Sequence, residues 1–258
     1  MSETRLRSRS VSEIVDTAFQ LYRQDAPQYI AVTAVAYAPW LIVRLLFLPA
    51  ASMTPGSSAL SLDALVVLFV SSLGTMIAFA LMSAVIVRLG ADAYLGAPGP
   101  RDIGATLRQV LPRVPAVLLA GIYKTVLGMI GLVLFLVGAL YVAARYFALT
   151  TSIVLEDKTA WASLGRSSAL SKGRKGHILL TLILVWVIFF VLSIAVGIVA
   201  GMIRSTVILT VLSTALTIVV YPVIGLTEMV LYYDARIRGE GFDVEVMAQG
   251  LGPTAAET

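Results

Sequence analysis

Apolar and polar positions alternate along the chain in long blocks rather than short periods. Six apolar runs fall near 28–49, 63–90, 113–132, 133–155, 177–202 and 206–233. Each is close to the ~20 residues that a helix needs to cross a ~30 Å hydrocarbon layer. The third and fourth runs are continuous over 43 residues, about two spans' worth, and Gly128 and Gly131 in "GMIG" place the outer turn between them. The pattern predicts an all-α polytopic membrane protein with six transmembrane helices.

Three polar intervals carry a helical period of their own. "SVSEIVDTAFQLYRQ" precedes the first span, "GPRDIGATLRQVLPR" the third and "TAWASLGRSSALSKGR" the fifth. In the first, Ser10 and Glu13 form a capping box, and Val11, Ile14, Ala18, Leu21 and Tyr22 fall on one face. Ile14, Ile103 and Leu164 superpose, as do Thr17, Thr106 and Ser167. Each interval therefore reads as an amphipathic interfacial helix leading into a two-span hairpin, giving three repeated units. The chain divides into an N-terminal segment (1–26), a six-helix transmembrane domain (27–235) and a C-terminal tail (236–258).

Composition agrees. Of 258 residues, 59% are hydrophobic and 13% charged, with a mean hydropathy of +0.92; a soluble domain carries about 25% charged residues. The basic residues add orientation. The N-terminal segment, the intervals after the second and fourth spans, and the tail hold four, four, five and two of them, 15 of the 19 lysines and arginines. Only Arg204 lies in the opposite connections. The positive-inside rule then predicts a multi-pass protein of the cytoplasmic membrane, N-in and C-in. The first 26 residues hold no apolar core and do not read as a cleaved signal peptide. A net charge of +4 follows from this topology and implies no nucleic-acid partner.

Candidate chemistry is sparse. No cysteine means no disulfide, thiolate metal site or thiol nucleophile, and His177 is the single histidine. Scattered carboxylates with one histidine supply neither a catalytic cluster nor a metal-binding set, so no enzyme, cofactor or metal is expected. Arg166, Lys172, Arg174 and Lys175, around "GRKGH", are expected to meet lipid headgroups. Lys124 and Arg145 should lie about 16 and about 15 Å deep and Glu228 about 9 Å, on a rise of about 1.5 Å per residue. Arg44 is near enough to the outer end to snorkel. A charge at the bilayer centre costs at least ~2.5–3.5 kcal/mol unless paired or hydrated. One reading pairs Arg145 with Glu228 to fix the packing of two spans. The other makes Lys124, Arg145 and Glu228 a net-positive pocket for an anionic solute or lipid phosphate. Ser193, Gly197 and Gly201 read as a stripe for internal helix packing, and Pro39 and Pro222 as kinks.

Three segments together resemble the bacterial membrane-domain family named after glycerophosphoryl diester phosphodiesterase. They are "RSVSEIVDTAFQLYRQD", "RYFALTTSIVLEDKTAWASLGRSSALSKGRKGHI" and "LYYDARIRGEGFDVEVMAQ". The resemblance implies the membrane module of that family without its soluble hydrolase domain. It also marks Tyr232, Tyr233, Asp234, Arg236, Arg238, Glu240 and Asp243 as motif residues, and we expect them to form a cytoplasmic latch packing against basic segments such as "GRSSALSKGR", the alternative being a solvated charged tail. In the latch Asp234 and Arg238 pair, the two tyrosines sit at headgroup level, and Gly239 and Gly241 end the helix. The expected function is a membrane scaffold or accessory subunit that binds anionic lipid and supports a membrane or cytoplasmic protein partner. The alternative is a transporter or channel for a small anionic or amphipathic solute.

Overall fold

The computed structural model describes residues 6–47, 62–96, 102–133, 136–203 and 205–250. The described residues form helices without strands: α1 (Val11–Gln24), α2 (Ala26–Phe47), α3 (Leu62–Tyr94), α4 (Ile103–Val110), α5 (Val114–Val133), α6 (Leu136–Arg145), α7 (Leu149–Glu156), α8 (Ala160–Leu170), α9 (Lys175–Ile203), α10 (Thr206–Glu240) and α11 (Phe242–Gly250). A single 3-10 turn, Leu111–Arg113, joins α4 to α5. Six stretches are long and apolar enough to cross a membrane, the fourth made of α6 and α7 together. The chain is an all-α polytopic membrane protein.

Each of α1, α4 and α8 starts at a side-chain cap, on Ser10, Asp102 and Thr159, where an oxygen takes up a backbone N–H that the first turn leaves open. Each then leads into a pair of spans. Ile14 is fully buried, while Ile103 and Leu164 pack partly buried on the same core. The helix-plus-hairpin order is thus present three times.

Packing is concentrated at one end. Ile14, Tyr29, Met82, Ile86, Leu89, Ile153, Ile178, Leu226, Met229 and Tyr232 are all fully buried there, around the second half of α10. That helix touches α1, α2, α3, α7, α8 and α9. At the other end Leu132, Val133, Met202 and Ile203 are exposed, as lipid-facing apolar side chains are in such a bundle. Only 11% of α9's spanning stretch is buried. Its Gly197 and Gly201 have nothing within contact distance, so the small-residue stripe faces outward instead of packing internally.

The hairpin between the third and fourth spans turns later than "GMIG". Helix α5 continues to Val133, and Gly131 packs on Gly138, where a Cβ would lie 2.6 Å from the partner's carbonyl carbon. Gly131 and Gly138 serve the close approach of the two helices, while Gly128 has nothing within contact distance. Pro222 does not break the sixth span, since α10 runs through it. Proline has no N–H for the Ile218 carbonyl. The buried Thr33 hydroxyl of α2 lies 2.9 Å from that oxygen and can donate to it. Helix α10 also passes the 235/236 boundary and ends at Gly241 (φ 66), whose N–H bonds to Ile237 O. Arg204 and the side chain of Arg44 lie outside the described residues.

Candidate functional site

Four elements enclose a cleft inside the bundle. Thr75, Phe79 and Ser83 recur every four residues on one face of α3, and Val117, Gly121 and Lys124, four and three residues apart, share a face of α5. Tyr221 and Glu228, two turns apart on α10, and Phe147, Leu149 and Thr150 beside the start of α7 close it. The volume is about 280 Å³. Lys124 lies ten residues into α5, about 15 Å from its start. Glu228 lies about 18 Å from the end of α10, which continues past Asp234. Both are half-buried. They interact through the field between them but form no ion pair within 4 Å, with each other or with any described residue.

The fourth span is broken beside this cleft. Helix α6 stops at Arg145, residues 146–148 turn, and α7 begins at Leu149. Backbone groups freed at membrane depth need partners, and one buried side chain supplies two. Ser167 of α8 accepts from Ala148 N–H at 3.0 Å and donates to Arg145 O at 3.0 Å. The Thr151 and Ser152 hydroxyls donate to Ala148 O at 3.0 and 2.7 Å.

The break also overturns the expected Arg145–Glu228 pair. A continuous helix would fix the direction of Arg145 relative to Phe147 and Leu149, which face the cleft; the turn uncouples them. Arg145 donates to the Tyr141 hydroxyl at 3.1 Å and lies over the Tyr141 and Tyr146 rings, with Lys175 above Tyr141 at 5.2 Å. Of the three intramembrane charges, the fold brings together Lys124 and Glu228 and turns Arg145 away.

A second polar assembly occupies the packed end. Asp234, 2% exposed, accepts from Arg9 N–H at 2.7 Å and from Arg238 at 2.8 Å, and lies 3.3 Å from His177. Arg238 reaches on to Arg9 O at 2.6 Å, and Arg174 donates to Arg238 O at 2.6 Å. Arg166 is held between Glu156, at 2.8 Å, and Glu240. The Glu240 hydrogen bond, ahead of those from Glu156, raises the pKa of its guanidinium further above the ordinary value. The Tyr232 hydroxyl donates to Glu156, and Arg236 stacks on Phe242 at 4.1 Å while bonding Glu240.

The predicted latch residues therefore converge, with three differences. Tyr232 and Tyr233 are buried in the protein, Tyr233 stacked on Tyr94 at 5.2 Å, because α1, α3 and α11 cover a position that a bare helix exit would leave at headgroup level. Asp243 forms no ion pair among the described residues. Arg166 and Arg174, expected at headgroups, are committed to Glu156, Glu240 and a carbonyl, while Lys172 is exposed. At the N-terminal edge, the Ser10 N–H, followed by Arg7, holds the Glu13 carboxyl down to about 2.

Arg9, Glu156 and Thr33 were not singled out by sequence, and Ser167 only as a position shared by the three interfacial helices. A serine with no capping role in a helix, such as Ser167, was the one available signal. Comparison with known proteins finds no family model, no curated protein and no solved structure that matches the chain.

Proposed function

We propose that this protein is a non-enzymatic integral protein of the cytoplasmic membrane that takes a small amphipathic or charged molecule into the cleft between α3, α5, α7 and α10, as a transporter or lipid-handling protein does. One observation carries the reading. Lys124 and Glu228, from spans far apart in sequence, face one cavity at depth without closing on each other. Each charge costs at least ~2.5–3.5 kcal/mol there if left alone, and an ion pair made only for packing would be in contact. The broken span at the cleft wall supports the same reading, since non-helical backbone at membrane depth is tolerated where it is buried in protein or lines a cavity. The Lys and Arg distribution supports a cytoplasmic position for the latch end.

The absence of cysteine makes the test clean. Thr150→Cys and Thr125→Cys, each the single thiol of the chain, should react in proteoliposomes with a small membrane-impermeant thiol reagent. A solute flux that disappears in Lys124→Ala would identify transport. Two cysteines inert from both sides in a folded protein would sink the reading.

A scaffold role that binds anionic lipid has its own support at the latch end. Trp161, 73% exposed, and the exposed Lys158 and Lys172 lie on or beside α8, a composition suited to an anionic interface. A stoichiometric protein partner retained on gentle extraction would favour it.

A further inference from the structure

We infer that the cleft receives a zwitterion: a molecule whose anionic group meets Lys124 and whose ammonium meets Glu228. The inference rests on the ligand-binding reading of this cleft and narrows it. With Arg145 turned onto Tyr141 and Tyr146, the cleft holds one cation and one anion instead of an excess of positive charge. In a low-dielectric wall, a ligand with net charge satisfies one of these and leaves the other uncompensated. A ligand carrying both signs satisfies both, and Lys124 and Glu228 line the one cleft without forming an ion pair with each other.

The neutral groups point the same way. Thr75 donates its hydroxyl proton to Ser71 O at 2.8 Å, Ser83 to Ala80 O at 3.1 Å and Thr125 to Gly121 O at 2.8 Å. With their protons engaged, these oxygens face the cleft as acceptors, which suits an ammonium and its N–H donors. Phe79 and Phe147 add an apolar wall for a short tail. A volume of about 280 Å³ has room for an amino acid or a lipid headgroup and lies at the low end of ligand pockets, about 300–1,000 Å³. The shared chemistry is an ammonium and an acidic group joined by a short apolar bridge, free in solution or at the head of phosphatidylethanolamine.

The experiment uses the full chain in a neutral maltoside detergent. In one arm, thermal unfolding is followed with L-leucine, phosphoethanolamine, glycerol phosphate and ethanolamine. In the other, native mass spectrometry follows exposure to micelles containing equal phosphatidylethanolamine and phosphatidylglycerol. A rise in Tm with the two zwitterions but not with the lone anion or cation identifies a soluble ligand. Retention of phosphatidylethanolamine about tenfold over phosphatidylglycerol, a difference of about 1.4 kcal/mol, identifies a headgroup. Either effect should vanish in Lys124→Met and in Glu228→Gln and return in the exchanged pair Lys124→Glu with Glu228→Lys. Preference for glycerol phosphate or phosphatidylglycerol, surviving in Glu228→Gln, overturns the zwitterion and leaves a ligand site standing. No response to any probe in either arm removes both. The probe comparison on the wild-type chain needs no variant, so a misfolded mutant cannot obscure the answer.

Discussion

The latch and the cleft use charge in opposite ways. At the latch every central charge is in contact: Asp234 with Arg9 N–H, Arg238 and His177, and Arg166 with Glu156 and Glu240. In the cleft Lys124 and Glu228 share a cavity but do not touch. Contact between charges costs side-chain freedom and returns a fixed geometry, which suits architecture. Charges held near each other without contact retain their capacity to bind something else. The two regions lie on the same helix, α10, within two turns, so the difference is not one of fold stability in the neighbourhood.

Substitutions should separate them. Asp234→Ala takes the buried acceptor from the Arg9 N–H and from Arg238, which keeps its bond to Arg9 O, and should cost about 1.5–3 kcal/mol for each hydrogen bond lost to the carboxylate. Loss of detergent-solubilised folded protein, or a large fall in Tm, checks it. Ser167→Ala leaves both a donor and an acceptor at the α6–α7 break unsatisfied, a cost of about 1–3 kcal/mol. It should appear as a lower Tm and as faster amide exchange at Ala148. Thr33→Val removes the donor to the carbonyl freed by Pro222 and should cost about 1 kcal/mol. At the small end, Glu228→Gln should leave Tm unchanged or raise it, because the group has no direct partner to lose. A fall comparable to that of Asp234→Ala would erase the contrast between the regions. Acid should also weaken the α1 cap. Glu13 has a folded pKa lowered to about 2, so its contribution is complete above the ordinary carboxylate range and fades as the pH falls through that range toward 2. Glu13→Gln should remove this part of the acid response in a helicity titration.

The spans were legible because apolar length is a direct physical requirement, and α1 was legible from Ser10 and Glu13. The place of Lys124, ten residues into α5, was also readable by counting. Direction around a helix axis was not. The turn at 146–148 lies within "RYFALT", whose aromatic and apolar residues look like any other membrane segment. Its backbone is satisfied by Ser167, 22 residues away from Arg145, so nothing local announces it. Tyr232 and Tyr233 were placed at the headgroups by the same local logic. They are buried because α1 and α11 fold over them, a long-range event that no local period encodes.

One contact also sets a schedule. The Arg9 N–H and the Asp234 carboxylate that receives it are 225 residues apart in the chain. At roughly 5–20 residues per second of synthesis, α1 exists for roughly 10–45 s before its dock has been made. During that interval the face of Ile14, Val15, Ala18 and Leu21 lacks the α10 surface that α1 packs against in the finished bundle. The first helix off the ribosome is among the last to find its place, and closing that contact certifies that all six spans have been inserted.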